Sequence, residues 1–142
     1  MPLSDDFIRD FQDVVNWNII SGSQQLNENF IEAFKVKIKW EAVSRYQELS
    51  EDFIKQHQYK LDWKWISRYE ALSEDFIWEF KFRVDWNWVS KYQHFSGNFI
   101  REFQDKADWK AVSKYQNLCH DFIGEFKHKL DWDLVLDYQD SA

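Results

Sequence analysis

The sequence predicts an all-α fold, an α-solenoid of six helix–turn–helix repeats that are each 23 residues long. The first observation behind this prediction is a tryptophan that recurs every 23 residues without insertion or deletion, at Trp17, Trp40, Trp63, Trp86, Trp109 and Trp132. A fixed period of this length indicates a repeat array. The second is composition, because nine Trp and thirteen Phe accompany three Gly and one Pro, which favours a packed core over disorder. The third is the helical spacing of apolar residues inside each repeat.

The repeats fill nearly the whole chain, so we predict a single repeat domain over residues 1–142. Its units are 3–25, 26–48, 49–71, 72–94, 95–117 and 118–140. No window approaches the run of about 18 apolar residues that a membrane-spanning helix needs, so no membrane association is expected. The single cysteine, Cys119, excludes an intramolecular disulfide, and a reducing compartment, the cytoplasm, is the predicted location.

The first half of each repeat predicts a helix of roughly ten residues, seen most clearly in the fourth repeat. Ser73 can cap this helix, and Glu74 and Asp75 place acids in its first turn, where they complement the helix dipole. The apolar residues that follow have the spacing of a single stripe along one helical face. They are Phe76, Ile77, Phe80 and Val84.

The second half of each repeat predicts a helix of about eight residues. Asp85 is its expected N-cap, and Trp86, Val89 and Tyr92 follow along one side. Helices this short are marginal in isolation, so each pair must bury its apolar stripe against the next repeat. We therefore assign the structural core to aromatic residues at shared positions: Trp17, Trp40, Trp63, Trp86, Trp109, Trp132, Phe53, Phe76 and Phe99.

The repeat carries a motif, L-S-E-D-F-I followed by V/L-D-W-x-x-V/I-S-x-Y-Q. It is fullest at residues 72–93, and residues 49–58 and 61–69 carry most of it. This motif resembles a short tandem repeat of hypothetical proteins from large DNA viruses and phages. The resemblance implies a helical-repeat fold and a viral or phage source, hence the cytoplasm of a host cell, and it brings no catalytic residues. The main departures from the motif are Gly22, Ser23, His57, Cys119, His120 and Leu136.

The net charge of −7 is concentrated in the two terminal repeats. From the first repeat to the last, Lys and Arg set against Asp and Glu give −3, 0, 0, −1, +1 and −4. Terminal repeats need a polar outer face for solubility, so acidic caps are the favoured interpretation. An acidic nucleic-acid mimic that inhibits a DNA- or RNA-binding protein is the alternative. The interior repeats lack the surplus of positive charge that direct nucleic-acid binding needs, so no such binding is expected.

Polar residues also recur once per repeat. The cations near the end of each second helix are Arg45, Arg68, Lys91 and Lys114. Because they lie close in sequence to the acids that open the following helix, we predict solvated salt bridges between the two sets. A row of glutamines predicts hydrogen bonds between repeats that satisfy buried polar groups; its members are Gln47, Gln93, Gln116 and Gln139.

No pattern of a catalytic, cofactor or metal site is present, so we predict a protein without enzymatic activity, cofactor or metal. The four histidines have no metal-ligand spacing, and no phosphate-binding loop or hydrolase motif occurs. Serines that recur at one position favour a role in close helix contact over nucleophilic catalysis. They are Ser44, Ser67, Ser90 and Ser113.

Function is expected where one repeat departs from the others. Trp78 and Phe82 occupy positions that are mostly polar elsewhere, and their spacing of four places both on one helical face, away from the apolar stripe. Tyr59 holds the Phe82 position one repeat earlier. We predict that these three residues form an exposed aromatic patch. It would bind a protein partner, a host defence protein in the viral interpretation, or a second copy in a self-assembling scaffold. Burial inside a curved solenoid is the alternative.

Three other departures favour structural roles. Trp65 and Trp88 have apolar counterparts in the other repeats, which predicts a half-buried seam whose size varies between layers. His57 stands where a core Phe is expected, and we interpret it as a local polar adjustment rather than a pH switch.

Overall fold

The computed structural model describes residues 2–139, and this part of the chain is helical without any β-strand. Asp140, which the last predicted unit includes, lies outside the described residues. The prediction of an all-α repeat fold is confirmed. The described helices are α1 (Asp5–Asp10), α2 (Trp17–Ser23), α3 (Glu28–Ala33), α4 (Trp40–Tyr46), α5 (Glu51–Gln56), α6 (Trp63–Tyr69), α7 (Glu74–Glu79), α8 (Trp86–Tyr92), α9 (Gly97–Glu102), α10 (Trp109–Tyr115), α11 (His120–Glu125) and α12 (Trp132–Tyr138).

The chain divides into two compact units, residues 1–66 and 67–142, and the division falls within α6. In unit 1, α2 packs beside α4. In unit 2, α8 packs beside α10, and α10 packs beside α12. Second helices of successive repeats are thus neighbours inside each unit, which is the packing of an α-solenoid. The single domain over residues 1–142 stays a prediction.

The first helix of each repeat is shorter than predicted, with six residues instead of about ten. In the fourth repeat, Phe80 ends the helix with φ −104° and ψ 26°, and the N–H groups of Arg83 and Val84 both donate to its carbonyl in tight turns. The Lys81 carbonyl would serve the Asp85 N–H in a continued helix. It accepts instead from the Trp86 indole at 2.9 Å. The sequence prediction of a ten-residue helix was therefore wrong.

The same indole hydrogen bond occurs in every repeat. In all six, the N–H of the recurring tryptophan donates to the carbonyl oxygen five residues earlier, at 2.7–3.2 Å. The N–H of the residue just before that tryptophan donates to a serine Oγ of the preceding repeat, for example Asp85 to Ser67 and Asp108 to Ser90, both at 2.9 Å. The recurring serines therefore bind backbone between repeats.

The predicted N-caps are present. Ser73 Oγ accepts the Phe76 N–H at 3.1 Å, and Asp85 Oδ1 accepts the N–H groups of Asn87 and Trp88. Two caps lack a side-chain bond, Lys39 before α4 and Cys119 before α11. Local hydrogen bonding thus starts most of these short helices, as the sequence indicates.

Ring pairs join the recurring tryptophans to the buried core of each unit. In unit 1 the Trp17 ring lies 5.2 Å from Phe34, and Trp40 lies 6.3 Å from Phe53. In unit 2 the Trp109 ring lies 5.2 Å from Phe126. These are distances of favourable aromatic packing. The side chains of Phe53, Phe76 and Phe99 are buried.

The recurring tryptophans lie at the edge of the core rather than fully inside it. Trp17, Trp40, Trp63, Trp86 and Trp109 are half-buried, and Trp132 is 44% exposed. The cause is the indole hydrogen bond, which holds each N–H against a turn at the surface while the opposite edge of the ring packs on phenylalanines. The tryptophans therefore join the turn to the core.

The glutamine row forms the predicted hydrogen bonds between repeats. In unit 2, Gln116 Oε1 accepts the Phe95 N–H at 3.4 Å, and its Nε2 donates to the carbonyls of Ser90 at 2.9 Å and Gln93 at 2.6 Å. In unit 1, Gln47 makes the equivalent bonds to Leu26, Ser21 and Gln24. Both glutamines are buried.

Within residues 2–139, no helix is long and apolar enough to cross a lipid bilayer.

Candidate protein-binding surface

The predicted contact residues are at the surface. Trp78 lies in α7 and is 47% exposed, and Phe82 lies in the turn that follows and is 82% exposed. Both belong to unit 2. Tyr59, in unit 1, occupies the turn after α5 and is 85% exposed. Large apolar side chains with this much exposed area are typical of interaction sites when they are grouped.

Two lysines frame the aromatic pair of unit 2. The Lys81 Nζ lies 4.2 Å from the centre of the Trp78 ring and 5.4 Å from that of Phe82, and the Lys106 Nζ lies 4.8 Å from the Phe82 ring. These are cation–π distances. We call the four residues Trp78, Lys81, Phe82 and Lys106 the Trp78 cluster. It combines exposed aromatic area with two positive charges.

The Trp78 ring is held in place from one side. Its centre lies 5.2 Å from the ring of Phe103, a buried residue of the next repeat, at an angle of 58°. Four of the other five repeats place a charged side chain at this position, and in unit 1 Arg9 lies 5.8 Å from the Phe34 ring. The Trp78 ring therefore packs on the next repeat as Arg9 does in unit 1, and its outer part can contact a partner with little further loss of side-chain entropy.

An acidic recess of about 280 Å³ adjoins the cluster. Trp78 lines it together with Glu74, Asp75, Phe99 and Glu102. Glu74 is already bound, because its carboxylate accepts the N–H of Ser96 at 2.6 Å and the Ser96 hydroxyl at 3.2 Å. The surface around Trp78 thus carries both positive and negative charge. A partner with complementary charges would bind it in one preferred orientation.

The acids that open the first helices and the cations that end the second helices have other described partners. In unit 1, Glu28 binds the N-cap Ser50 of the next repeat, as Glu74 binds Ser96 in unit 2. The cations lie over aromatic rings: Arg45 is 4.5 Å from Trp65 in unit 1, and Arg68 is 4.6 Å from Trp88 in unit 2. Each cation of this row is followed directly by a tyrosine, and the described contacts place it over aromatic rings. The salt-bridge prediction for this row stays a prediction.

This cation–aromatic row is a feature that the sequence reasoning missed. Its signal is a Lys or Arg directly before a Tyr, at Arg45–Tyr46, Arg68–Tyr69, Lys91–Tyr92 and Lys114–Tyr115. Trp88 belongs to it, since its ring stacks on Tyr92 with centres 5.5 Å apart. The half-buried seam predicted at Trp88 is part of this row.

His57 occupies the ring position of the core in unit 1. It is buried, with its ring 4.8 Å from Trp40 and 4.5 Å from Phe53. Its Nε2 lies 2.7 Å from Glu32 Oε2, an approach too oblique for a regular hydrogen bond. Glu32 also pairs with Lys35 at 3.0 Å. A polar side chain thus replaces a phenylalanine in the aromatic stack, and it lies beside an acidic side chain of the preceding repeat.

The pairing of Glu32 predicts a pH-dependent contribution to stability. Lys35, the largest influence, and His57 lower the pKa of the Glu32 carboxyl, and desolvation offsets part of this effect. A lowered folded-state pKa stabilises the fold above the ordinary pKa of 4.5, and that contribution disappears as the pH falls through the folded-state value. Glu32→Gln should therefore be less stable than the native chain at neutral pH, and the difference should disappear at a pH acid enough to protonate Glu32 in the folded state.

Urea denaturation followed by circular dichroism at both pH values measures this difference. Glu48→Gln, an exposed acid of the same repeat, is the control. An equal difference at neutral and acid pH would contradict the assigned role of Glu32.

Within the described residues, no three His, Cys, Asp or Glu side chains are grouped so as to hold a metal ion. Cys119 is an exposed free thiol. No protein-family model, curated protein or solved structure matches the chain. The resemblance to viral tandem repeats stays a prediction.

Proposed function

We propose that the chain is a non-catalytic protein-binding module and that the Trp78 cluster is the centre of its contact surface. The observation that carries this proposal is an exposed Trp–Phe pair framed by two lysines, at positions that are mostly polar in the other repeats. Aromatic residues held against a rigid scaffold are the usual hot spots of interfaces. A host defence protein is the partner that the viral resemblance favours, with the host cytoplasm as the location.

The exposed apolar area of the Trp78 cluster supports this proposal, because the contact of apolar area with water is unfavourable. An exposed aromatic pair gains free energy when a partner covers it, at about 25 cal/mol per Å² of apolar area. Trp78 already has its ring fixed by Phe103, so little conformational freedom remains to be lost. Self-association through the same surface would use the same contacts on a second copy, and it is the competing outcome of the test below.

The test replaces the aromatic pair by residues that the chain itself uses at these positions. Arg101 corresponds to Trp78 and Asp105 to Phe82, so the double variant Trp78→Arg/Phe82→Asp should retain the fold. Hot-spot residues contribute about 2 kcal/mol or more, so affinity for the partner should fall at least about 30-fold. Affinity capture from host lysate, followed by titration of the captured protein, measures the effect.

Val36→Asp is the matched control, because Val36 is an exposed apolar residue at the repeat position of Phe82. This control should capture the same partner as the native chain. Sedimentation velocity of all three proteins detects self-association. If both variants capture the same proteins as the native chain and sediment identically, the Trp78 cluster is not a contact site.

A further inference from the structure

A second surface of unit 2 lies on the second helices α8, α10 and α12. A groove of about 470 Å³ opens there, and none of its lining residues belongs to the Trp78 cluster. We call it the Ala111 groove. Its lining includes Trp88, Lys91, Ala111, Lys114, Tyr115 and Leu134. The volume is within the range of about 300 to 1,000 Å³ that ligand sites occupy.

The groove exists because one side chain in the row is small. The residues at this repeat position are Ile19, Ala42, Trp65, Trp88, Ala111 and Leu134. In unit 2, Ala111 stands between a tryptophan in the preceding repeat and a leucine in the following one. The missing side-chain volume leaves a space with an apolar floor and an aromatic wall, which is suited to one large apolar side chain of a ligand.

The rim of the groove is cationic. The Lys91 Nζ lies 5.0 Å from the ring centres of both Tyr92 and Tyr115, and the Lys114 Nζ lies 5.0 Å from Tyr115 and 4.7 Å from Tyr138. Hydrogen bonding with Tyr92, the largest effect, raises the pKa of the Lys91 ammonium. Tyr115 does the same for the pKa of Lys114. Both rim lysines are therefore fully ionised at neutral pH.

The acids that line the groove are engaged in helix capping. Asp85 Oδ1 accepts the N–H groups of Asn87 and Trp88, and Asp108 Oδ1 accepts those of Lys110 and Ala111. Set against Lys91, Lys110 and Lys114, these two carboxylates leave the lining with a net charge of +1. A nucleic acid would need a continuous surplus of cations along its backbone, whereas a short peptide needs no more than two or three cationic partners.

We propose that the Ala111 groove binds an acidic peptide segment in which one large apolar side chain is flanked by Asp or Glu residues. The apolar side chain lies over Ala111 beside Trp88, and the flanking carboxylates pair with Lys91 and Lys114. This site is independent of the Trp78 cluster, because it lies on the second helices and uses different residues. Charge complementarity selects the acidic segment, and the apolar floor selects its anchor.

The first test uses two synthetic peptides, N-acetyl-Asp-Glu-Leu-Glu-Asp-amide and its neutral counterpart N-acetyl-Asn-Gln-Leu-Gln-Asn-amide. The indole N–H signal of Trp88 reports binding in an NMR titration of the native chain. We expect saturable shifts with the acidic peptide and an affinity at least about tenfold lower for the neutral one. Added salt should weaken the binding of the acidic peptide and leave the binding of the neutral peptide unchanged. Equal affinities, or no saturation at millimolar peptide, would overturn the proposal.

The second test changes the groove itself. Ala111→Leu fills the space with the residue that the next repeat has at this position, so the backbone accommodates it. This variant should bind the acidic peptide about tenfold more weakly. Ala42→Leu makes the same change at the equivalent position of unit 1 and should leave binding unchanged. Lys91→Gln/Lys114→Gln should abolish the preference for the acidic peptide. Oligothymidine is the third probe, and binding of it more tightly than the peptide would replace the peptide proposal with single-strand recognition.

Discussion

Replacing Trp109 with Ala should lower the free energy of unfolding by about 3 kcal/mol. The Trp109 ring lies 5.2 Å from Phe126 and 6.3 Å from Phe122, and its indole N–H donates to the Gln104 carbonyl at 2.9 Å. Truncation removes the aromatic contact with the next repeat and leaves that carbonyl without its indole partner. The ring is half-buried, which places the expected loss at the lower end of the range for core tryptophans, about 3 to 5 kcal/mol.

Trp132 provides the matched control for this measurement. It has the same position in its repeat and the same indole bond, to the Lys127 carbonyl at 2.7 Å, but its side chain is exposed. Trp132→Ala should therefore cost about 1 kcal/mol. Urea denaturation followed by far-ultraviolet circular dichroism gives both values. Equal losses would show that the indole hydrogen bond, rather than ring packing between repeats, carries the contribution.

The sequence was sufficient to predict the helices and their starts because these depend on neighbouring residues. Ser73 and Asp85 cap their helices through bonds that span two or three positions, and the 23-residue period is visible without structure. The end of the first helix was mispredicted because it depends on a bond outside the helix. The Trp86 indole takes a carbonyl that helix propensity assigns to the backbone.

The same distinction applies to the candidate sites. Features visible at a single repeat position were predicted, and features that depend on the stacking of repeats were not. Departure from the repeat pattern singled out Trp78 and Phe82, since composition at one repeat position can be compared directly. The lysine over Phe82 was not predicted, because Lys106 is 24 residues away and meets the ring through the stacking of repeats. The Ala111 groove was missed for a related reason. A small residue appears neutral in sequence, and its effect depends on Trp88 and Leu134 on either side.

Replacing Gln116 with Leu should cost about 3 kcal/mol, even though the shapes of the two side chains are similar. Gln116 is buried, and its amide bonds the Phe95 N–H and the carbonyls of Ser90 and Gln93. Leucine can satisfy none of these groups. Buried backbone groups that lose their partner incur about 1 to 3 kcal/mol each, reduced where water or a shifted neighbour can compensate.

The variant Gln24→Leu tests whether the loss of unfolding free energy depends on burial of the glutamine. Gln24 Oε1 accepts the Leu3 N–H at 2.9 Å in an exposed setting, where water can replace the amide, so Gln24→Leu should cost less than about 1 kcal/mol. Urea denaturation gives both values, and amide hydrogen exchange should show Phe95 losing protection in Gln116→Leu. A small loss at Gln116 with unchanged protection of Phe95 would mean that the repeats are held by ring packing alone. A large loss confined to Gln116 would establish the amide row as a second, directional link between repeats, one that fixes the register in which the rings meet.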